Sequence, residues 1–355
     1  MKILLLGEYS GLHNNLKEGL LELGHDVTLA SSLDGFKKFP SDILLDSYKK
    51  GIVGKIERNI LPFLNLHKMI GYDVVQIINP VIFNPRFGIN KFLLEFIINN
   101  NNIISLLGAG CDAIFWQKTR HMLKYGPFDD TLKFDFKSKT HPHYDSDYMF
   151  KWNINLANKV DHIIPIMYEY ELGYKNFNNI RSCIPIPLNI KKINFYENIV
   201  TGPLKIFHGL NRYGFKGTRL IEQAFNDLSM NSNLDLKILG KMSIDQYLQI
   251  LQETNVVIDQ AFSHSAGMNA IYALGMGKVV LGGAEPESLI ALGLDSSPII
   301  NIEPSADSIC KKIEYLLDNK NIFPQKGYES RLFVEKNHDY IKVANKYVDT
   351  WFSKG

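Results

Sequence analysis

One pattern occurs at two places in this 355-residue chain, and it decides most of what the chain can fold into. A mostly apolar strand meets a glycine-bearing loop, and a helix with one apolar face follows. Lys2-Ile3-Leu4-Leu5-Leu6 runs into Gly7-Glu8-Tyr9-Ser10-Gly11, then into a helix over residues 14–23 with Leu16, Leu20 and Leu23 on one face. Gly24 stops that helix and residues 26–30 restart a strand. Leu204-Lys205-Ile206-Phe207 does the same, entering the loop 208–218, a helix over 219–228 and a strand over 235–239. Strands that are apolar throughout, rather than alternating, belong to parallel sheets covered on both faces. The chain therefore reads as α/β, with two Rossmann-like domains facing a cleft. The length is more than one hydrophobic core needs, and the first domain is expected over 1–190 and the second over 191–330.

Between these points the same alternation continues. Residues 73–78 and 103–107 read as strands, 91–98 as a helix, and 160–165 and 184–187 as the last strands of the first half. Residues 116–152 show no clear period. In the second half, 244–253 and 270–276 read as helices and 256–258 and 278–281 as strands. Residues 33–58 carry Lys37, Lys38, Lys49, Lys50, Lys55 and Arg58 around Ile52, Val53 and Ile56. This reads as a solvated basic face whose apolar residues pack inward. The other reading is a peripheral contact with the inner surface of a membrane.

The chemistry is expected at strand ends. In open α/β sheets, ligands lie outside the carboxyl ends of strands, where helix N-termini present free N–H groups suited to anions. The stretch VVIDQAFSHSAGMNAIYALGMGKVVLGG, residues 256–283, has this form. His264, Gly267, Met268, Asn269 and Tyr272 fall on its loop and following helix, Gly11 ends the loop after the first strand, and Gly240 follows the strand over 235–239. The first loop is Gly-x-x-x-Gly with no acidic residue ending the second strand, which disfavours a dinucleotide site. A formal net charge of +2 disfavours a nucleic-acid binder. Three scattered cysteines make neither a metal knuckle nor a disulfide framework and fit a reducing cytoplasm. No apolar stretch approaches the ~20 residues of a membrane span. His121, His141, His143, Asp145 and Asp147 form no recognised ligand frame and read as loop residues, so no metal is expected.

HGLNRYGFKGT followed by VVIDQ…GMNAIYALGMGKVVLGG resembles bacterial GT-B glycosyltransferases related to glycosyltransferase family 4. GEYSGLHNNLKEGLLELGHDV and RLFVEKNHDYIKVANKYVDTWF extend the resemblance over nearly the whole chain. It implies a nucleotide-sugar donor held mainly by the second domain, and final helices (331–355) that cross back to the first. It implies a basic pair on the donor diphosphate; Lys216 matches its lysine, and Arg212 is the nearest arginine, closer to it than usual. Many members carry two glutamates where this chain has His264 and Tyr272. The implied activity is a metal-independent, retaining sugar transfer to a saccharide or lipid-linked acceptor in surface-polysaccharide assembly, with the nucleotide diphosphate sugar as co-substrate and no cofactor. Asp112 and His13 are the first-domain candidates near the acceptor. The loss of both glutamates raises a second reading, a non-catalytic protein that binds nucleotide or sugar or escorts a partner transferase. An epimerase or a phosphorylase on the same fold are further alternatives, although no pyridoxal-lysine site is discernible.

Overall fold

The computed structural model describes residues 1–32, 34, 37, 39–49, 51–134, 144–210 and 213–353. Six strands form the first sheet: β1 (Lys2–Leu6), β2 (Asp26–Ser31), β3 (Ile43–Leu44), β4 (Val74–Ile77), β5 (Ile103–Gly108) and β6 (His162–Pro165). Their order is β3-β2-β1-β4-β5-β6, with every neighbouring pair parallel. The second sheet comprises β7 (Leu204–Leu210), β8 (Leu234–Gly240), β9 (Val256–Ile258), β10 (Val279–Gly282) and β11 (Ile300–Asn301), ordered β11-β10-β9-β7-β8 and also parallel. Each order reverses once, between β1 and β4 and between β7 and β9. At such a reversal the connections leave in opposite directions and open a crevice at the strands' carboxyl ends.

The core strands are those the sequence marks as continuous apolar runs; Ile3 to Leu6 and Val256 to Ile258 are all buried. Residues 184–187 are different. Ile184 and Ile186 are buried but belong to no strand; Ile184 N donates to Pro165 O at 3.0 Å at the sheet's edge. The aperiodic stretch after residue 112 contains the helices Ala113–Lys118, Pro127–Lys133 and Asp147–Lys159.

The last helix, Tyr340–Phe352, lies against the first half of the molecule. Trp351 is buried, its indole N–H donating to Gln76 Oε1 on β4 at 3.0 Å while its carbonyl faces His162 Nε2 of β6 at 3.0 Å. Tyr340 donates its hydroxyl to Glu22 Oε1 at 3.0 Å. Leu188 N donates to His338 O at 2.7 Å, and Tyr340 N to Leu188 O at 3.2 Å. One apolar cluster consequently runs through both halves, joining Leu16 and Leu20 to Leu188, Ile271, Leu274 and Tyr347.

The helix Gly51–Leu64 reverses the orientation expected of it. Ile52, Val53, Ile56, Ile60, Phe63 and Leu64 are between 43% and 77% exposed, whereas Gly54 and Pro62 are buried. At 3.6 residues per turn these six apolar side chains fall on one face, and that face points to solvent. Gly54 decides the outcome. A Cβ there would lie 1.9 Å from the carbonyl oxygen of Lys49, so only glycine lets this side approach the preceding backbone.

Gly19 shows how closely the first and last helices meet. A Cβ at this position would stand 2.2 Å from the Tyr340 carbonyl oxygen. We expect Gly19→Ala to destabilise the fold by about 1–3 kcal/mol in urea denaturation, because both backbones must move apart. Leu21→Ala, on the exposed side of the same helix, should stay within about 0.5 kcal/mol of the parent.

Candidate functional site

The reversal between β7 and β9 brings together the two loops singled out from the sequence. Ile206, Phe207 and His208 pair with Val256, Val257 and Ile258, so the loops after both strands leave side by side. Lys216 returns over β9 with its carbonyl accepting from Ala261 N at 2.9 Å. Its Nζ meets Asp259 Oδ1 at 3.0 Å. The other carboxylate oxygen of Asp259 accepts at 3.0 Å from Gly267 N, the N-cap of the helix Met268–Gly275. A cation, a helix N-terminus and a carboxylate thus converge at one strand end. Beneath them His208 is fully buried, with Nδ1 2.8 Å from Ile258 O and Nε2 2.9 Å from Thr218 Oγ1. Burial, and then the positive charge of Lys216, push its pKa down to about 4, so this ring is a neutral support.

The site opens into a cleft of about 410 Å³ lined by both halves, a volume within the usual range for small-molecule sites. Lys216, Asp259, Gln260, Gly267, Met268 and Asn269 form the second-sheet wall. Facing them, Tyr9, Phe115, Tyr144 and Tyr170 supply aromatic surface, with Glu169 and the Asp34–Lys37 pair among the polar groups. Lys37 Nζ is 2.6 Å from Asp34 Oδ2 and from Ser10 Oγ, which fixes its ammonium at the rim.

Two carboxylates from the first half reach over and hold these loops. Glu169, on the helix Tyr168–Tyr174, accepts Ser263 Oγ at 2.8 Å, His264 N at 2.8 Å and Ser265 N at 3.0 Å on one oxygen. Its other oxygen accepts Ser265 Oγ at 2.5 Å. Asp130 accepts at 2.7 Å from Gly217 N, which precedes the helix Thr218–Asp227. Burial raises the pKa of Asp130. Gly217 adopts φ +74°, a conformation that favours glycine, and Thr131 donates to Gly214 O nearby.

The remaining residues singled out from the sequence separate into several groups. Arg212, His141 and His143 lie outside the described residues. His264 is buried, its ring 4.5 Å from that of Tyr125 and 5.8 Å from that of Tyr168, and neither ring nitrogen has a hydrogen-bond partner among the described residues. Tyr272 is buried against the first helix, Leu12–Glu22, where its oxygen accepts from Asn15 Nδ2 at 3.3 Å. Burial pushes its pKa up to about 12. The close approach at Gly11 is to this tyrosine: a Cβ would stand 2.8 Å from its hydroxyl. Gly240 serves strand packing, since a Cβ there would meet Leu210 O at 1.8 Å.

Asp112 and His13 are both fully buried and outside the cleft wall. Asp112 caps the helix Ala113–Lys118 by accepting from Phe115 N at 2.7 Å, and also accepts the Tyr174 hydroxyl at 2.7 Å. His13 is tied to Gly7 O at 2.7 Å, and burial pushes its pKa down to about 4. Asp145 accepts from the Trp116 indole at 2.9 Å, while Ser146 caps the next helix. Among the described residues no three His, Cys, Asp or Glu side chains group as a metal site. The sequence reading passed over Glu169 and Asp130. Lys216 and Gly267 are legible in the sequence as site residues, but their meeting on the carboxylate of Asp259 is not.

No protein-family model and no curated protein matches this sequence. Solved structures do match along the full length of the chain. Sucrose-phosphate synthase from Thermosynechococcus elongatus aligns at a TM-score of 0.64 with 11% identity, covering 99% of this chain and 98% of that one. HepE from Anabaena, in complex with UDP and glucose, aligns at 0.62 with 12% identity over 100% of both chains. A glycosyltransferase from Rickettsia africae aligns at 0.56 with 13% identity, covering 99% and 97%. The chain has the GT-B fold that these proteins share.

Burial of histidine has a pH consequence. His338, like His13 and His208, is buried, and its pKa is pushed from 6.5 down to about 4. Between those values the unfolded chain takes up a proton that the folded state refuses, so this contribution to stability is lost as pH falls below 6.5. At pH 5 it amounts to about 2 kcal/mol per histidine. We expect His338→Asn to lose about 2 kcal/mol less stability than the parent between pH 7.5 and pH 5, measured by urea titrations at both values.

Proposed function

We propose that this protein is a glycosyltransferase that moves a sugar from a nucleoside-diphosphate sugar to a saccharide or lipid-linked acceptor. The observation that carries the reading is the convergence of Lys216 and the Gly267 N–H at the β7–β9 reversal, opening on a cleft lined by both halves. Departure of a nucleoside diphosphate builds negative charge on a phosphate oxygen. A fixed ammonium and oriented N–H groups stabilise that charge without solvent reorganisation, which is the largest kind of catalytic term. Lys216 and the N-terminus of the helix Met268–Gly275 supply both, so the reaction we propose is metal-independent. It retains configuration, the departing phosphate oxygen taking the acceptor's proton. The aromatic wall of Phe115, Tyr144 and Tyr170 suits the apolar face of an acceptor sugar. Likeness of fold to HepE, solved with UDP-glucose, supports a nucleotide-sugar donor.

One observation favours the second reading, a binding protein without turnover: His264 and Tyr272 are buried rings where a carboxylate pair is common in the resembled family. Activity decides between them. Incubation with a nucleotide-sugar panel should release nucleoside diphosphate when acceptor is present. Lys216→Ala should lower that turnover by about 100-fold or more and weaken nucleoside-diphosphate binding measured by calorimetry. Unchanged turnover in this variant would remove the diphosphate assignment, and tight binding without turnover in the parent would favour the second reading.

We further propose that the transfer takes place at an anionic membrane surface, as part of surface-polysaccharide assembly, with the helix Gly51–Leu64 as the docking face. Its exposed apolar side chains continue into Phe92, whose ring stacks on Phe63 at 6.3 Å. Residues 46–92 carry seven Lys or Arg against three Asp or Glu, so the surroundings of the apolar face are basic. An apolar face flanked by cations matches the acyl and headgroup layers of an anionic bilayer. The parent should float with vesicles of phosphatidylcholine containing phosphatidylglycerol, and less with phosphatidylcholine alone. Ile56→Asp with Phe63→Asp should abolish flotation and leave turnover of a soluble acceptor unchanged. A parent that dimerises through this face in light scattering, and fails to float, would identify a second copy as the occupant instead.

A further inference from the structure

The cradle assigned to the donor diphosphate already holds an anion, the carboxylate of Asp259. Its two oxygens accept from Lys216 Nζ and Gly267 N, each at 3.0 Å. These are the two donors that a phosphate would use. The side chain of Asp259 is 3% exposed and that of Lys216 13%, so water screens neither. The backbone here cannot retreat easily, because Asp259 N donates to Leu281 O at 2.9 Å at the end of β9. Gly267 is what lets the carboxylate rest in place: a Cβ there would stand 3.1 Å from Asp259 Oδ2 and 3.0 Å from Gln260 Nε2. A phosphate oxygen on the same donors must take the space the carboxylate fills, and two anions cannot share that space in a poorly solvated site.

We infer that Asp259 determines donor specificity by exchanging partners: the incoming diphosphate takes Lys216 and Gly267 N, and the displaced carboxylate accepts hydrogen bonds from the hydroxyls of the donor's sugar. This rests on the diphosphate reading of Lys216 given above. Asp259 is anchored at the cleft wall beside Gln260 and Asn269, so rotation of its side chain alone keeps the carboxylate in the cleft. The sugar is joined to the distal phosphate through a single oxygen and must lie next to it. An ionised carboxylate only accepts hydrogen bonds, and sugar hydroxyls donate them. A donor carrying its sugar therefore compensates Asp259 for the loss of Lys216, whereas a bare nucleoside diphosphate leaves it buried and unpaired. After transfer the sugar has gone, Asp259 returns to Lys216, and the product diphosphate is expelled. The pair thus favours the whole donor over its own leaving group.

The test compares the parent with Asp259→Asn and Asp259→Ser, using inorganic pyrophosphate, UDP, GDP and their glucose esters as probes. Pyrophosphate makes the first comparison independent of the base. In both variants we expect pyrophosphate and a nucleoside diphosphate to bind about tenfold or more tightly than in the parent, because the competing charge is gone. The same variants should lower kcat for the sugar donor by about 100-fold and show stronger product inhibition. A purely structural role predicts instead a lower melting temperature with all ligands weakened alike, which would overturn the inference. Pyrophosphate binding unchanged or weaker in both variants would do so as well. So would binding in the parent that needs a divalent cation and loses that need in Asp259→Asn, since Asp259 would then be a metal ligand. If Lys216→Ala leaves pyrophosphate binding intact, the diphosphate reading itself fails, and this inference falls with it.

Discussion

The cleft exists in this form because buried carboxylates of the first half accept hydrogen bonds from backbone N–H groups and serine hydroxyls of the second. Glu169 collects four donors from residues 263–265, and Asp130 takes the N–H of Gly217. A buried carboxylate is costly unless its oxygens are hydrogen-bonded, and here the donors come from the loops that carry the chemistry. Removing such an acceptor would leave orphaned N–H groups as well as an altered loop. The constraint therefore works in both directions: the loops offset part of the cost of burying the acids, and the acids set the shape of the loops. Lys216 and Gly267 each lie within a few residues of one of these anchors, which accounts for their close meeting at Asp259.

Much of the fold was legible because a parallel strand buried on both faces leaves a continuous apolar run, as at Leu4 and Val257. The same signal misled at Ile184 and Ile186. Those residues are buried between the halves, and apolar character reports burial without reporting strand pairing. β3 and β11 were invisible, since two residues carry no period. The helix Gly51–Leu64 shows another limit. Periodicity says which side chains share a face, but a helix with an apolar face turned to solvent has the same period as one with it turned inward.

The site was legible where chemistry and strand ends coincide in sequence. Lys216 follows β7 and the glycine at 267 follows β9, so topology alone places them together. Glu169 and Asp130 could not be found this way, because their partners lie 94–96 and 87 residues away. His264 and Tyr272 invited comparison with a carboxylate pair. Their surroundings explain why rings are tolerated there: one is packed between tyrosines and the other against Asn15 and Gly11. Ionised groups in those places would need partners that these surroundings do not offer.

The return of the last helix has a consequence for biosynthesis. Gln76 Oε1 in β4 and His162 Nε2 in β6 meet Trp351, and Gly19 packs against the Tyr340 carbonyl and Ala344, so these contacts form only with the last helix. While the chain emerges from the ribosome, the first sheet must wait, with part of one flank uncovered, through the synthesis of the entire second sheet. Domains generally condense as they are made, and those that cannot finish expose apolar surface to other chains. The first half of this molecule keeps that flank open until residues 340–352 arrive, so the covering of Gln76 and His162 by Trp351 comes late in synthesis.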